Sequence, residues 1–223
     1  MWAIQLKCSL VLVLQMQSFG RTTTAFLIAS ALSPQLFAAG GPLGIDHRLS
    51  LDERGIWAPA NQHAVEFGSA AVVLGGALWE GNETRLGRTF WKASESMLLA
   101  DLSSEGLKRV FRRARPSQGN DPNDWFGPAS RRSFPSGQMT HITAVVTPFI
   151  AEYGRDHPAV WGLAALPVYV GVARMKSQAH WQTDVLAGAA LGAGVGYYEY
   201  TRESAWSAMV LPHGITVGFR KQF

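Results

Sequence analysis

Hydrophobic positions along the chain recur mostly at helical rather than alternating spacing. An apolar, Ala-rich stretch from about Gln62 to Trp79 follows Asn61, a suitable N-cap, and Gly81-Asn82 ends it. A second helix is predicted from about Leu86 to Ala114, with a break near Ser103-Ser104 and Pro116 as its stop. Residues 117–134 are rich in Pro, Gly, Asn, Asp and Ser, which marks a long loop. A third helix should start at Ser136 or Gly137 and run to Tyr153, with Gly154 as C-cap. A fourth covers about Ala159 to Lys176, kinked by Pro167, and a fifth runs from about His180 to Tyr200. Only the tail alternates, at Ile215, Val217 and Phe219 after Pro212-His213-Gly214, as a short hairpin would. The fold class expected is all-α, a bundle of about five to seven helices with a short C-terminal β-hairpin.

The first 39 residues read differently. They contain Lys7 and Arg21, no acidic residue, two apolar runs (Ser9 to Leu14 and Ala25 to Leu32), and small residues at Ala38-Ala39-Gly40 where a peptidase could cut. A start at Met16 would give a signal of ordinary length. Residues 1–39 are therefore expected to be a signal peptide, or else an N-terminal anchor, and residues 40–223 a single domain. The exported chain would work in the periplasm or associated with a membrane on its extracytoplasmic side. Cys8 is the only cysteine, so the mature chain could form no disulfide. Without Lys7 and Arg21 the formal charge falls from +4 to +2, which leaves the basicity local. A mean hydropathy of +0.03 is low for a chain built mostly of membrane spans. The apolar parts near Ala70 to Leu78 and Ala159 to Ala173 are short for spans and suggest buried core helices.

Three short pieces carry candidate chemistry. Lys108 and Arg115 lie seven residues apart, close to two helical turns, and would share one face; a solvated basic surface with Arg109, Arg112 and Arg113 is the alternative. In Pro135-Ser136-Gly137 a proline ends the loop and a helix opens, with unpartnered N–H groups suited to phosphate; ordinary capping by Ser136 is the alternative. His180 and Asp184, at i and i+4, could share a pocket, with the carboxylate fixing one ring nitrogen and leaving the other free as a nucleophile. Arg174, six residues earlier, offers a planar fork for phosphate oxygens. A structural His/Asp hydrogen bond remains the bland reading of that pair.

Taken in order, Lys108-x6-Arg115-Pro116, Pro135-Ser136-Gly137 and Arg174-x5-His180-x3-Asp184 resemble the three-part signature of the type 2 phosphatidic acid phosphatase and vanadium haloperoxidase superfamily. The resemblance implies an all-helical fold and metal-free phosphatase chemistry through a phosphohistidine, with no cofactor. It implies that Lys108, Arg115 and Arg174 hold phosphate oxygens with the Ser136 and Gly137 region, that His180 attacks phosphorus, and that Asp184 orients His180. Fixed cations suit a transition state that spreads negative charge over the equatorial oxygens.

One position departs from the pattern. The triplet is followed by Gln138, where the family has a histidine that protonates the leaving oxygen. An amide donates a hydrogen bond but cannot deliver a proton. Three explanations stay open: His141, about one turn further on, takes the acid role; the substrate carries a good leaving group, such as a diphosphate; or the domain only binds phosphate or anionic lipid and turns it over weakly. Gln138 itself is then a further candidate phosphate contact.

The expected partner is a phosphorylated small molecule or lipid, with peripheral membrane contact as a further expectation. Nucleic acid is not expected, because the basic stretch comes with no recognised binding motif and with an export segment. Vanadate-dependent peroxidase chemistry is disfavoured by the same missing histidine. No metal site is expected, since His180 and Asp184 make only two ligands. Gly188, Gly192 and Gly196, four residues apart, predict close helix packing within the bundle rather than a membrane dimer.

Overall fold

The computed structural model describes residues 40–202 and the backbone of 206–211 and 214–219. The export segment expected at residues 1–39 lies outside the described residues. Among the described residues there are five α-helices: α1 (Pro59–Glu80), α2 (Arg85–Phe111), α3 (Gly137–Tyr153), α4 (Ala165–Lys176) and α5 (Gln182–Thr201). Two strands, β1 (Trp206–Leu211) and β2 (Gly214–Phe219), pair antiparallel with Trp206 opposite Phe219. The all-α expectation holds, with the hairpin a minor addition.

Helix α3 is the central element. Its buried residues run continuously from Met139 to Val146, so it is covered on nearly every side. Val145 packs with Val73 of α1 and Ala93 and Met97 of α2, while Ile142 and Val146 meet Val170 of α4. Against α5 the two backbones come close. A Cβ on Gly188 would lie 2.7 Å from the Ser136 carbonyl oxygen, one on Gly192 would lie 2.3 Å from that of Thr140, and one on Gly196 would lie 2.7 Å from the Thr147 Cβ. The glycine stripe is therefore an internal packing seam between α5 and α3.

Several element boundaries differ from expectation for identifiable reasons. Helix α1 begins at Pro59, whose fixed φ suits the first turn, and Asn61 lies inside it, donating Nδ2–H to the Gly55 carbonyl. Helix α2 is unbroken at Ser103-Ser104 and stops at Phe111 rather than Ala114, because Arg112 turns left-handed (φ 41°) and its N–H closes onto the Lys108 carbonyl at 3.1 Å. Residues Pro158–Ala164 form a tighter 3-10 helix before α4, so the change of geometry precedes Pro167. Helix α5 starts at Gln182, which leaves His180 in the preceding connector.

A larger correction concerns the apolar helices. Helix α1 buries only Gln62, Val73 and Ala77, and exposes Phe67, Leu74 and Leu78 as well as Val72 (63% exposed) and Trp79 (86%). Pro158–Lys176 is long and apolar enough to cross a membrane, with only 22% of its apolar window buried, so the expectation of two buried core helices fails. Their apolar residues outnumber the positions that face α3, and the surplus points outward.

Candidate active site

The end of α2 sets up the first part of the site. Lys108 projects from its last turn, the left-handed Arg112 redirects the chain, and Arg115 follows in extended backbone (φ −82°, ψ 157°). The two cations therefore do not share a helix face, as seven-residue spacing predicted. They meet because the chain turns between them. Gly137 opens α3 directly beneath Lys108: a Cβ there would lie 2.4 Å from Lys108 Nζ, so only glycine lets the ammonium approach this helix start. Arg174 leaves the last turn of α4, and His180 comes from the connector before α5. Lys108, Arg115, Gly137, Gln138, Arg174 and His180 line one cavity of about 510 Å³.

The pairing of charges around this cavity separates its cations from the other basic residues. Arg109 pairs with Glu105, Arg131 with Asp124, Arg132 with Glu105, and the buried Arg113 with Asp46 and Asp184. Lys108, Arg115 and Arg174, all partly buried, have no carboxylate within 4.0 Å among the described residues. Burial holds the Lys108 ammonium below its ordinary pKa; the Glu105 carboxylate opposes that, and the like charges of Arg115, Arg132 and Arg174 add to it. Burial lowers Arg115 too, followed by repulsion from Arg132. Glu66, Asp101 and Glu105 also line the cavity, but none of them stands within 4.0 Å of Lys108, Arg115 or Arg174 among the described residues, so three crowded, half-desolvated cations still favour an anion among them. Arg174 Nε, Ser104 Oγ and Ser136 Oγ are buried hydrogen-bonding atoms with no partner among the described residues. Ser136 makes no side-chain cap to α3, so the capping alternative fails and its hydroxyl remains free.

His180 is 3% exposed and its Nδ1 lies 2.7 Å from the Ser133 carbonyl. Donating Nδ1–H to that oxygen leaves the lone pair on Nε2, the form a nucleophile needs. Asp184 Oδ2 stands 3.8 Å from Nδ1, beyond hydrogen-bond range, and acts on the ring through its charge. The expected helical i, i+4 pair is thus replaced by a backbone acceptor, with Asp184 one step behind. Burial pushes the His180 pKa down to about 4, against the raising effect of Asp184, so the imidazole is neutral at ordinary pH.

Asp184 is fully buried. It accepts from Arg113 Nη1 at 2.5 Å, Ser133 Oγ at 2.5 Å and the Trp181 N–H at 2.9 Å, the last capping α5. Burial opposes its ionisation, but His180, the Arg113 guanidinium and the Ser133 hydroxyl overcome that and hold its pKa below the ordinary carboxylate value. Arg113 also donates to Asp46 at 2.6 Å, and Asp46 accepts from Thr183 N at 2.8 Å. This network ties the lead-in segment, the loop after α2 and the start of α5 into one frame behind the imidazole.

His141 does not line the cavity. It is 4% exposed, with Nδ1 2.9 Å from Asp101 Oδ2 and Nε2 3.2 Å from Ser69 Oγ, so both ring nitrogens are occupied in packing between helices. One helical turn further along α3 than Gln138, it is held between Asp101 of α2 and Ser69 of α1. Several residues were not foreseen: Asp101, Leu102, Ser104 and Glu105 of α2 line the cavity, and a further group comes from α1. Gln62 Oε1 accepts from Arg174 Nη1 at 3.0 Å, and His63 and Glu66 line the same cavity. A polar Gln-His-x-x-Glu group at the start of an otherwise apolar helix was the available clue.

Known proteins place this arrangement in a family. The model of the PAP2 superfamily matches residues 89–207. A lipid A 1-phosphatase from Rhizobium johnstonii is 34% identical over 109 residues, covering 47% of this chain and 42% of the relative. One from Rhizobium etli is 35% identical over 102 residues, 44% of this chain and 41% of its own length. The chain thus spans less than half the length of these curated relatives. Among solved structures, Aquifex aeolicus LpxE has 19% identity and a TM-score of 0.44, covering 67% of this chain and 88% of that one. The transmembrane PAP2-type phosphatidylglycerolphosphate phosphatase of Bacillus subtilis has 20% identity and a TM-score of 0.43, covering 66% and 76%. Since the family match runs over more than half of the sequence and takes in every cavity-lining cation together with His180, the chain belongs to the PAP2 superfamily.

Proposed function

We propose that the protein is a phosphatase acting on a phosphorylated lipid by direct attack of His180 on phosphorus. The observation that carries this reading is the convergence of Lys108, Arg115 and Arg174, none of them ion-paired, on the cavity that also holds the neutral His180. The three cations and the free N–H groups at the start of α3 receive the phosphate oxygens, with Ser136 and Gly137 at that helix end. His180 Nε2 forms the bond to phosphorus, and the Ser133 carbonyl holds the ring in the required tautomer. Asp184 steadies the positive charge that the ring gains on phosphorylation. Preorganised cations meet the developing equatorial charge without having to reorient.

The lipid part of the reading draws support from two sides. The matched Rhizobium relatives are lipid A 1-phosphatases. In this chain, Leu102 (72% exposed) lies at the cavity itself, and the outer faces of α1 and of residues 158–176 are apolar. An acyl chain leaving the cavity would continue over such a surface. The basic, acid-free segment at residues 1–39 supports export, so we assign the site to the extracytoplasmic side of a membrane. The test is phosphate release by the purified chain from lipid A 1-phosphate, phosphatidic acid, a lipid diphosphate and 4-nitrophenyl phosphate. Release from at least one lipid, lost in His180→Ala, is expected; no release from any, or release unaffected by His180→Ala, would overturn the reading.

A further inference from the structure

Phosphoryl transfer to His180 leaves an alkoxide unless something protonates it, and Gln138, at the start of α3, has no proton to give. His141 is enclosed by Asp101 and Ser69. Among the other cavity-lining groups, Lys108 and His63 carry nitrogen-bound protons that could be given up, and they differ in position. Lys108 lies against Gly137, within the cradle where its charge is needed on phosphate. His63, on the second turn of α1, lines the cavity with its side chain 56% exposed, towards the solvent side where a leaving group would depart.

His63 does not stand there unsupported. Glu66 Oε2 is 3.4 Å from its Nδ1, and the ring stacks on Phe67 with centroids 5.9 Å apart. Gln138 Nε2 donates to the same Glu66 oxygen at 2.5 Å and lies 3.4 Å from His63 Nδ1. The amide that replaces a proton donor on α3 is thus the clamp that seats a carboxylate and an imidazole from α1. With Nδ1 turned to Glu66, the His63 Nε2–H is the proton free for the cavity. Gln138 Oε1, buried and without a partner among the described residues, remains to receive a donor from the substrate.

We propose that His63, seated by Glu66 and Gln138, is the general acid and base of this site, supplied from α1 instead of α3. The inference rests on the phosphatase reading above. In the first step His180 Nε2 forms a bond to phosphorus while the bond from phosphorus to the leaving oxygen breaks. That oxygen takes the electron pair and the proton on His63 Nε2. In the second step neutral His63 removes a proton from water, whose oxygen bonds to phosphorus. The P–N bond breaks, its electrons return to His180, and inorganic phosphate leaves with His63 again protonated. Glu66 and Gln138 are positioning residues, acting only through His63.

The experiment measures single-turnover formation of phosphohistidine by rapid quench, using short-chain phosphatidic acid, with a poor alkyl leaving group, and 4-nitrophenyl phosphate, with a good one. In His63→Gln the rate with the alkyl substrate should fall at least about 100-fold and that with the aryl substrate by less than about fivefold, because only the alkoxide needs a proton. Phosphohistidine from the aryl substrate should then accumulate, because the base for its hydrolysis is missing. Glu66→Gln should show the same alkyl-selective loss at smaller size. Equal losses on both substrates, or an undiminished alkyl rate, would overturn the assignment, the latter pointing to Lys108. A wild-type chain that forms no phosphohistidine from either substrate would remove the phosphatase reading and this inference with it. Aryl transfer itself reports that the variants are folded.

Discussion

Arg113 is the residue whose role differs most from its appearance in sequence. Within Arg-Val-Phe-Arg-Arg-Ala-Arg it looks like part of a solvated basic surface, yet its side chain is fully buried between Asp46 and Asp184. Replacing it with methionine would leave two buried carboxylates without a counter-charge. Arg113→Met should therefore cost about 3–5 kcal/mol in urea unfolding, a loss that Arg113→Lys, lacking the planar fork, recovers only in part. His180 supports a second expectation. Its pKa is 6.5 when unfolded and about 4 when folded, so on acidification the unfolded chain takes up a proton that the native chain refuses. Stability linked to this group is intact above pH 6.5 and should fall by roughly 3 kcal/mol as pH drops towards 4. His180→Gln should remove that part of the slope in melts across the range; an unchanged slope would show that the ring is not buried in neutral form. That Lys108, Arg115, Arg174 and His180 would meet, with Asp184 beside the imidazole, was legible from motif spacing. Arg113, Ser133 and His63 were not, because each depends on where a turn or a distant helix brings it.

At the level of elements, helix positions follow from hydrophobic spacing and from Gly and Pro punctuation, and so does the seam between α3 and α5. Their ends are less legible. The left-handed turn at Arg112 and the late start of α5 decide how Lys108 meets Arg115 and how His180 meets Ser133, and no glycine or proline marks either place. The seam can be tested by a matched pair. Gly192→Ala puts a Cβ 2.3 Å from the Thr140 carbonyl oxygen and should destabilise by about 1–3 kcal/mol. Gly194→Ala, with nothing within 4 Å, should be neutral or stabilise by up to about 1 kcal/mol through helix propensity. Equal effects at the two positions would contradict the packing of α5 on α3, whose N-terminus lines the cavity.

For the whole molecule, low mean hydropathy concealed where the apolar residues lie. An average cannot distinguish a buried stripe from an outward one, and here Phe67, Val72 and Trp79 on α1 and Val168 on α4 face outward. The protein should float with phosphatidylcholine vesicles even at about 0.5 M salt, since apolar contact is not screened as charge is. The double variant Val72→Asp, Trp79→Asp should release much of it; binding restricted to anionic vesicles and lost with salt would instead assign the contact to the basic residues.

The central claim is that one neutral imidazole stands behind a phosphate held by three unpaired cations. Its most direct test is peptide mapping, by mass spectrometry at neutral to alkaline pH, of the wild-type chain quenched during turnover of 4-nitrophenyl phosphate. The account predicts a single phosphoryl group on His180, absent from Arg174→Met under the same conditions. A phosphoryl group on any other residue, or its undiminished appearance in Arg174→Met, would contradict it.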